Sequence, residues 1–340
     1  MINGTLRPWG KPQWLLQMES IKAKNWFLIG AISTQVRCLS MVRNQINTFH
    51  LEHAAFLEII DKPSDFFDQT TVRREANRAC FLAEVREDLR ELHAYGLCDP
   101  LMRLKKLVAQ WVTGAHRKNI ILDVSCLPER FFFPMLRWLL DSTEVENLIV
   151  TCMSPARYTE EDLAYNPEDW QYLYTFGVPT ESAPRTVKRV IVGAGFLPFG
   201  LPDLLRKDYA DRNIEVSVLF PFPATPASVK RSWEFVRKIE LDVSLKDDRQ
   251  LVRIGASDLS GCFDRINGIT RDGSIPTVFA PYGPKAHSVA MCLKAMQMDA
   301  PVVYTQPAFY HPEYTTGIAL DDGVPAGYAY ALRVNGRALY

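Results

Sequence analysis

The sequence predicts an α/β protein built on a Rossmann-like, doubly wound and mostly parallel sheet. Short, continuous apolar runs alternate with amphipathic segments of helical spacing along almost the whole of the 340 residues. Runs of this kind are typical of strands that are buried on both faces, and their alternation with helices predicts a parallel sheet. Several runs end in glycine, aspartate or serine, as strands do where they turn into helices. The length suits either one large sheet or two such lobes in tandem.

The first half of the chain contains an irregular arm over residues 1–24 and a first predicted lobe over residues 25–157. The run WFLIG at 26–30 predicts the first strand, and apolar residues at helical spacing predict a helix over 33–47. A charge-rich segment over 71–111 is predicted to be helical, because opposite charges recur three or four residues apart. The other elements predicted here are strands over 55–60, 119–125 and 147–151 and a helix over 131–140.

A segment rich in Pro, Glu and Asp, residues 158–184, predicts the linker to a second lobe over residues 185–340. That lobe repeats the alternation of strand and helix. At its end, apolar and polar residues alternate around Asn335-Gly336, which predicts a C-terminal β-hairpin with a type I′ turn over 328–340. The other elements predicted here are strands over 190–192, 216–220, 251–254, 277–280 and 301–304, and helices over 201–209, 227–240, 262–266 and beyond 288.

Composition and charge narrow the classes of function. The 39 basic residues balance 39 acidic ones, which argues against a protein whose main task is to coat DNA or an anionic membrane. The seven cysteines form no CxxC or CxxxH pair, so we predict reduced core thiols in a cytoplasmic protein, with no metal site and no cofactor. The first residues show no signal-peptide pattern, and no apolar run reaches the ~18 residues of a membrane span.

Ligands of doubly wound sheets bind outside the carboxyl ends of the strands, where the direction of winding reverses. Asp61, Asp123, Ser125 and Gly195 all follow predicted strands and are therefore candidates for this edge. Asp61 and Asp123 are candidate catalytic residues for acid/base work, although an aspartate at a strand end is also a common helix cap. Gly195 either belongs to a dinucleotide-binding turn or forms a plain tight turn, and Pro198 stands where a third glycine would be needed.

The turn formed by Gly283, Pro284, Lys285, His287 and Ser288 lies between a predicted strand and a predicted helix. The first N–H groups of a helix have no intrahelical partner, and the helix dipole adds partial positive charge there, so the turn suits a phosphate. Lys285 adds a full charge. Adjacent residues at a helix start point apart, so we interpret the His287-Ser288 pair as one ligand contact and one cap rather than as base and nucleophile.

Two aromatic residues beside predicted loops, Phe222 and Tyr310, are candidates for stacking on a nucleotide base. The remaining aromatic side chains are interpreted as core.

The stretch 276–317 resembles the ligand-binding turn of the CARF and SAVED sensor domains. In those families a glycine-rich or GP-containing turn precedes an apolar helix, and the next strand ends in a tyrosine-bearing loop. The residues that match are Gly283, Pro284, Lys285, Ser288 and Tyr310, whereas the doubled glycine of the CARF turn is absent because Tyr282 precedes Gly283. The resemblance implies a Rossmann-like sensor of a cyclic nucleotide or oligonucleotide in prokaryotic antiviral defence. Since no effector is recognisable in the sequence, it also implies a separate protein partner.

Three hypotheses of function follow. The first is a nucleotide-sensing or adaptor protein in which Lys285 holds a phosphate, Asp61 or Asp123 a ribose hydroxyl, and Phe222 or Tyr310 a base. The second is an enzyme that processes a nucleoside or NAD-like substrate at the same edge. The third is a structural subunit of a multi-protein complex without a small ligand.

Overall fold

The computed structural model describes residues 6–22, 24–45, 49–113, 118–177, 187–208, 214–222, 226–240 and 250–340. The chain forms two compact units. The first consists of Met1–Asn166 and Ala308–Tyr340, and the second of Pro167–Pro307. The chain therefore leaves the first unit after Asn166, builds the second, and returns at Ala308. The first of these crossings falls within the segment 158–184 that the sequence marks as a linker, of which residues 178–184 lie outside the described ranges.

The first unit is built on five parallel strands. Asn25–Ile32 lies at the centre of the sheet, with His50–Ile60 on one side and Asn119–Asp123 on the other. The winding reverses between Asn25–Ile32 and Asn119–Asp123, as in a doubly wound sheet, which confirms the predicted fold class. In spatial order the parallel strands are Asn147–Met153, Asn119–Asp123, Asn25–Ile32, His50–Ile60 and Arg90–Gly96.

Antiparallel strands extend this sheet on one side. Gly327–Val334 pairs with Asn147–Met153, and Trp9–Gly10 pairs with the other side of Gly327–Val334. Gly327–Val334 also forms a hairpin with Arg337–Ala338. Asn335 and Gly336 lie at its turn with φ of 49° and 77°, as a type I′ turn requires, so the predicted hairpin is confirmed.

The hairpin corrects one prediction of lobe membership. The sequence places residues 308–340 in the second lobe, but the structure places them in the first unit. The physical reason is that Gly327–Val334 satisfies the outer backbone groups of Asn147–Met153, which would otherwise be an open sheet edge. The two paired strands are separated by more than 170 residues, so no local sequence pattern predicts their pairing.

The strand Arg90–Gly96 corrects a second prediction, because the charge pattern over 71–111 predicts a helix there. It forms the edge of the sheet beside His50–Ile60. Glu91 accepts a hydrogen bond from Trp111 Nε1 at 3.0 Å and lies 2.9 Å from His53 Nε2. Charges spaced three or four apart suit a helix surface, but they equally suit a half-exposed edge strand that uses them in cross-strand contacts.

The helices of the first unit cover both faces of the sheet. The helix predicted over 33–47 is shorter than expected, because its first turn is a 3₁₀ helix, Val36–Leu39, followed by Ser40–Gln45. Its predicted last residues, 46 and 47, lie outside the described ranges. The other helices are Pro12–Leu15, Phe67–Glu84, Met102–Thr113 and Glu129–Asp141, with a 3₁₀ turn at Glu87–Leu89.

The second unit repeats the doubly wound arrangement with four parallel strands. Arg189–Gly193 lies between Glu215–Pro221 and Thr277–Pro281, and the winding reverses between Arg189–Gly193 and Thr277–Pro281. Leu251–Ile254 lies outside Glu215–Pro221. Val302 continues the sheet through a parallel bridge to Phe279, and the following Val303–Tyr304 pairs with Gln171–Tyr172. The helices of this unit are Leu201–Asp208, Pro226–Glu240, Leu259–Ile269 and Lys285–Met298.

Each unit has an apolar core on its own sheet. Trp26, Leu28, Phe56, Phe81 and Ile121 are buried in the first core, where the rings of Phe56 and Phe81 lie 4.6 Å apart. In the second core the buried residues are Val190, Val192, Val218, Phe220, Phe235 and Val278.

Three short ladders complete the described chain: Arg157–Tyr158 with Thr315–Thr316, Ala164–Pro167 with Pro307–Tyr310, and Leu320–Asp321 with Val324–Pro325. Within the described ranges, no helix is long and apolar enough to cross a membrane.

Candidate functional site

The edge of the second unit where the winding reverses carries the turn from Gly283 to Ser288. The helix Lys285–Met298 begins directly after this turn, and its N-cap is Pro284, which has no side-chain acceptor. No side chain caps the helix, and the first intrahelical bond seen is from Ser288 N to Pro284 O at 3.0 Å. Lys285, at the first helical position, is half-buried. The turn thus combines a helix N-terminus that lacks a side-chain cap with one lysine.

The glycines at this edge allow two turns to pack backbone against backbone. A Cβ on Gly193 would lie 3.1 Å from Gly283 N, and one on Gly283 would lie 3.3 Å from Ala194 O. A Cβ on Gly195 would overlap the carbonyl oxygen of Tyr282. Contact between the two turns is therefore sufficient to explain the glycines, which favours a plain tight turn over a dinucleotide-binding turn.

Tyr282 directly precedes Gly283 in this turn. Its hydroxyl donates to Phe199 O at 2.8 Å and lies 3.2 Å from Thr305 Oγ1. Burial raises the pKa of this phenol, so it stays protonated. The tyrosine connects the turn to the loops at 199 and 305 and stabilises this end of the sheet.

His287 and Ser288 are both fully buried, which corrects the expectation that one caps the helix and the other contacts a ligand. His287 Nε2 donates to Gly255 O at 2.9 Å, and burial lowers the pKa of the imidazole to about 4, so the ring is neutral near pH 7. Neither His287 Nδ1 nor Ser288 Oγ has a hydrogen-bond partner among the described residues. Both side chains face the interior of the unit because this helix is buried along most of its length.

Phe222 lies just beyond the carboxyl end of Glu215–Pro221 and is 49% exposed. The guanidinium carbon of Arg253 lies 5.8 Å from the centre of its ring. An exposed aromatic face beside a cation can stack on a base or another planar group. Phe222 thus lies at the carboxyl side of this sheet.

The corresponding edge of the first unit carries Asp123 and Ser125. Asp123 is buried, and its Oδ1 accepts hydrogen bonds from the backbone N (3.1 Å) and the hydroxyl of Ser125. Ser125 Oγ in turn accepts from Met153 N at 2.7 Å. Burial raises the pKa of Asp123 to about 6, against the opposing effects of Ser125, Arg37 and Thr151.

Asp61 follows the neighbouring strand His50–Ile60 and lies on the same edge of this sheet. Burial raises its pKa to about 6, although the backbone N–H of Tyr310 and the charge of Arg74 act in the opposite direction. Tyr310 is half-buried, and its ring packs edge-on against Tyr314 with centroids 5.6 Å apart. Asp61, Asp123, Ser125 and Tyr310 are therefore all residues of the first unit.

Arg37, which no sequence motif marks as a site residue, lies in the 3₁₀ turn after the central strand of the first unit. It is only 6% exposed. Its Nε donates to Gln35 Oε1 and its Nη1 to Met153 O, each at 2.9 Å. The only sequence signal is an arginine inside the mostly apolar run VRCLSMV, and its burial depends on packing that a sequence pattern does not reveal.

The structure thus distributes the predicted site residues over two sheet edges. The edge of the second unit holds Phe222, Gly195, Gly283, Pro284, Lys285, His287 and Ser288, and that of the first unit holds Asp61, Asp123, Ser125 and Tyr310. Chemically, the edge of the second unit offers a helix N-terminus and a lysine. The edge of the first unit offers two carboxyl groups whose pKa values are raised to about 6. Within the described residues, no group of three His, Cys, Asp or Glu side chains could hold a metal ion.

No protein-family model matches this chain, and no curated protein is similar to it in sequence. Among solved structures, it is similar to a putative universal stress protein from Pseudomonas aeruginosa UCBPP-PA14, with 15% identity and a TM-score of 0.26 over 84% of this chain and 95% of that chain. It is also similar to a universal stress protein from Archaeoglobus fulgidus DSM 4304, with 11% identity and a TM-score of 0.25 over 83% of this chain and 96% of that chain. A third similar structure is the methyltransferase domain of bacterial CtHen1-CN, with 14% identity and a TM-score of 0.24 over 44% of this chain and 69% of that chain. Likenesses this weak carry no argument, and the fold rests on the strand orders given above.

Proposed function

We propose that the protein is a cytoplasmic nucleotide-sensing or adaptor protein of a prokaryotic antiviral defence system. It binds a phosphate-containing ligand, a nucleotide or cyclic oligonucleotide, at the edge of the second unit and passes the signal to a separate protein partner. The resemblance to the CARF and SAVED turn supplies the biological context, and the geometry of the turn supplies the binding chemistry.

The observation that carries the proposal is the start of the helix Lys285–Met298 at the winding reversal of its sheet. Parallel sheets bind ligands at this place, and a helix N-terminus binds phosphate through its N–H groups and dipole. Because Pro284 contributes no side-chain acceptor and no side chain caps the helix, a phosphate oxygen is well suited to the role of the cap. Lys285 adds a charge-assisted contact, and Phe222 offers an exposed ring for a base on the same side of the sheet.

Replacement of Lys285 by alanine tests this proposal. One charge-assisted hydrogen bond contributes roughly 1.5 to 3 kcal/mol, so Lys285→Ala should weaken nucleotide binding about tenfold or more. Native mass spectrometry of the protein purified from its own host, before and after acid extraction of small molecules, measures what is bound. The control is Lys238→Ala, which removes an exposed lysine from the last turn of another helix of the same unit.

A nucleotide that is present in the wild type and in Lys238→Ala but lost from Lys285→Ala would support the proposal. Equal occupancy in all three proteins would reject Lys285 as the phosphate contact. A preparation with a stoichiometric protein partner and no small molecule would favour the structural-subunit hypothesis instead.

One observation favours an enzyme as the second candidate. Burial raises the pKa values of both Asp61 and Asp123 to about 6. The two residues lie at the ends of the strands that flank the central strand of the first unit on either side. A carboxyl group with a pKa near the working pH is suited to general acid or base catalysis. Turnover of a labelled nucleoside or NAD-like substrate by the wild type, abolished in Asp123→Asn, would establish this activity.

A further inference from the structure

Arg37 is a buried cation at the winding reversal of the first unit. Its 3₁₀ turn follows the strand Asn25–Ile32, and its Nη1 reaches Met153 at the end of Asn147–Met153. The guanidinium thus lies over the carboxyl ends of the strands near the reversal. Among the described residues, its Nη2 donates no hydrogen bond and no carboxylate forms an ion pair with it. A buried charge without an ion-pair partner destabilises the folded protein unless a counter-ion binds to it.

Hydrogen bonds fix the position of this guanidinium. Gln35 Oε1 accepts from Arg37 Nε at 2.9 Å and also from Thr315 Oγ1 at 2.7 Å. Thr315 pairs with Tyr158 in a short antiparallel ladder, so one amide oxygen links Arg37 to that ladder. Ser33 supports the same turn, because its Oγ accepts from Gln35 N at 3.1 Å. A cation held in this way is preorganised for one ligand position.

The other polar side chains near the guanidinium are mostly neutral ones. Cys126, Tyr158, Cys152 and Tyr314 are the groups whose charges, when ionised, act most strongly on Arg37. All four are half-buried, so each keeps some surface in solvent. The rings of Tyr158 and Tyr314 meet edge-on with centroids 6.0 Å apart. Thiol and phenol groups are ordinarily protonated near pH 7. Asp123 makes no ion pair with Arg37, but the charge of Arg37 opposes the rise in the pKa of Asp123, so this carboxyl group lies close enough to interact with the guanidinium.

We propose that Arg37 is the centre of a second ligand site, in the first unit, that binds a phosphate group. Guanidinium forms charge-assisted hydrogen bonds with phosphate oxygens, and the N–H groups of Nη2 are the donors left for them here. The phosphate is either inorganic phosphate or that of a phosphate monoester. This site is separate from the turn at Lys285, and it stands or falls independently of the proposed function.

The test is a ³¹P NMR titration that follows line broadening of inorganic phosphate and of AMP. All proteins carry Lys285→Ala, so that the proposed site of the second unit does not contribute to the signal. Arg37→Gln in this background should weaken phosphate binding at least tenfold. Arg43→Gln is the matched control, since it removes the same charge from the adjoining helix, where Arg43 forms an exposed ion pair with Glu84.

Asp123→Asn keeps the test decisive if Arg37→Gln does not fold. An asparagine can still accept the hydrogen bonds from Ser125, but it removes the negative charge that competes with phosphate, so affinity should rise about fivefold. Broadening of both probes identifies a monoester site, and broadening of inorganic phosphate alone identifies a free-phosphate site. Absence of binding to the Lys285→Ala protein, equal binding in Arg37→Gln, or weaker binding in Asp123→Asn would each overturn the proposal.

Discussion

Two buried serines show that the surroundings of a hydroxyl group decide whether it stabilises or destabilises the fold. Ser288 Oγ has no hydrogen-bond partner among the described residues, whereas Ser125 Oγ donates to Asp123 and accepts from Met153 N. Both side chains are almost completely buried. The same substitution by alanine should therefore have opposite effects at the two positions.

Ser288→Ala should raise the free energy of unfolding by about 1 kcal/mol. The change removes a buried hydroxyl without a partner and places a better helix former inside Lys285–Met298. Ser125→Ala should lower the free energy of unfolding by about 2 kcal/mol, because it leaves the buried N–H of Met153 without its acceptor. Urea denaturation of both variants measures the pair. A loss of stability in Ser288→Ala would mean that its hydroxyl has a partner, such as a bound ligand.

At the scale of elements, the two turns at the edge of the second unit depend on the absence of side chains. Gly195→Ala should lower the free energy of unfolding by about 3 kcal/mol, because the new Cβ would overlap a backbone oxygen that no rotamer change can move. Gly268→Ala is the matched control. A Cβ there has no neighbour within 4 Å, and alanine should stabilise the helix Leu259–Ile269 by about 0.5 to 1 kcal/mol. Equal unfolding midpoints for both variants in urea would contradict this account of the turns.

Elements with a strong local pattern could be predicted from the sequence. The buried strands Asn25–Ile32 and Arg189–Gly193 follow from their apolar runs, and the terminal turn follows from Asn335-Gly336. The strand Arg90–Gly96 could not, because its charged side chains take part in contacts with distant residues. The same limit applies to the candidate sites. Asp123 is recognisable from its place after a strand, whereas the burial of Arg37 depends on Gln35 and Met153, which only the fold brings together.

At the scale of the whole molecule, the two units should respond to pH in opposite directions. Asp61 and Asp123 have pKa values raised from 3.8 to about 6 in the first unit, so the stability that their protonated forms provide is complete below pH 3.8 and is lost as the pH rises through about 6. His287 has a pKa lowered from 6.5 to about 4 in the second unit, so its contribution is complete above pH 6.5 and is lost as the pH falls through about 4. For the fully buried groups Asp123 and His287, each effect is of the order of 3 kcal/mol.

Hydrogen exchange of the slowest peptides in each unit, corrected for the intrinsic pH dependence of exchange, measures this contrast between pH 4.5 and 6.5. The first unit should become less protected as the pH rises, and the second more protected. Asp123→Asn should reduce the trend in the first unit alone, and His287→Gln that in the second alone. A shift of both units in the same direction would show that other titrating groups dominate.

The return of the chain to the first unit at Ala308 has a consequence for biosynthesis. The five parallel strands of that unit have left the ribosome once Met153 has emerged, but the strand that covers Asn147–Met153 is Gly327–Val334, at the far end of the chain. At roughly 5 to 20 residues per second, the edge of Asn147–Met153 stays uncovered for on the order of 10 to 35 s while residues 154–326 are made. The second unit is complete in the meantime. The nascent chain therefore carries a finished second unit before the first can close, and a chaperone that shields sheet edges would be needed most during that interval.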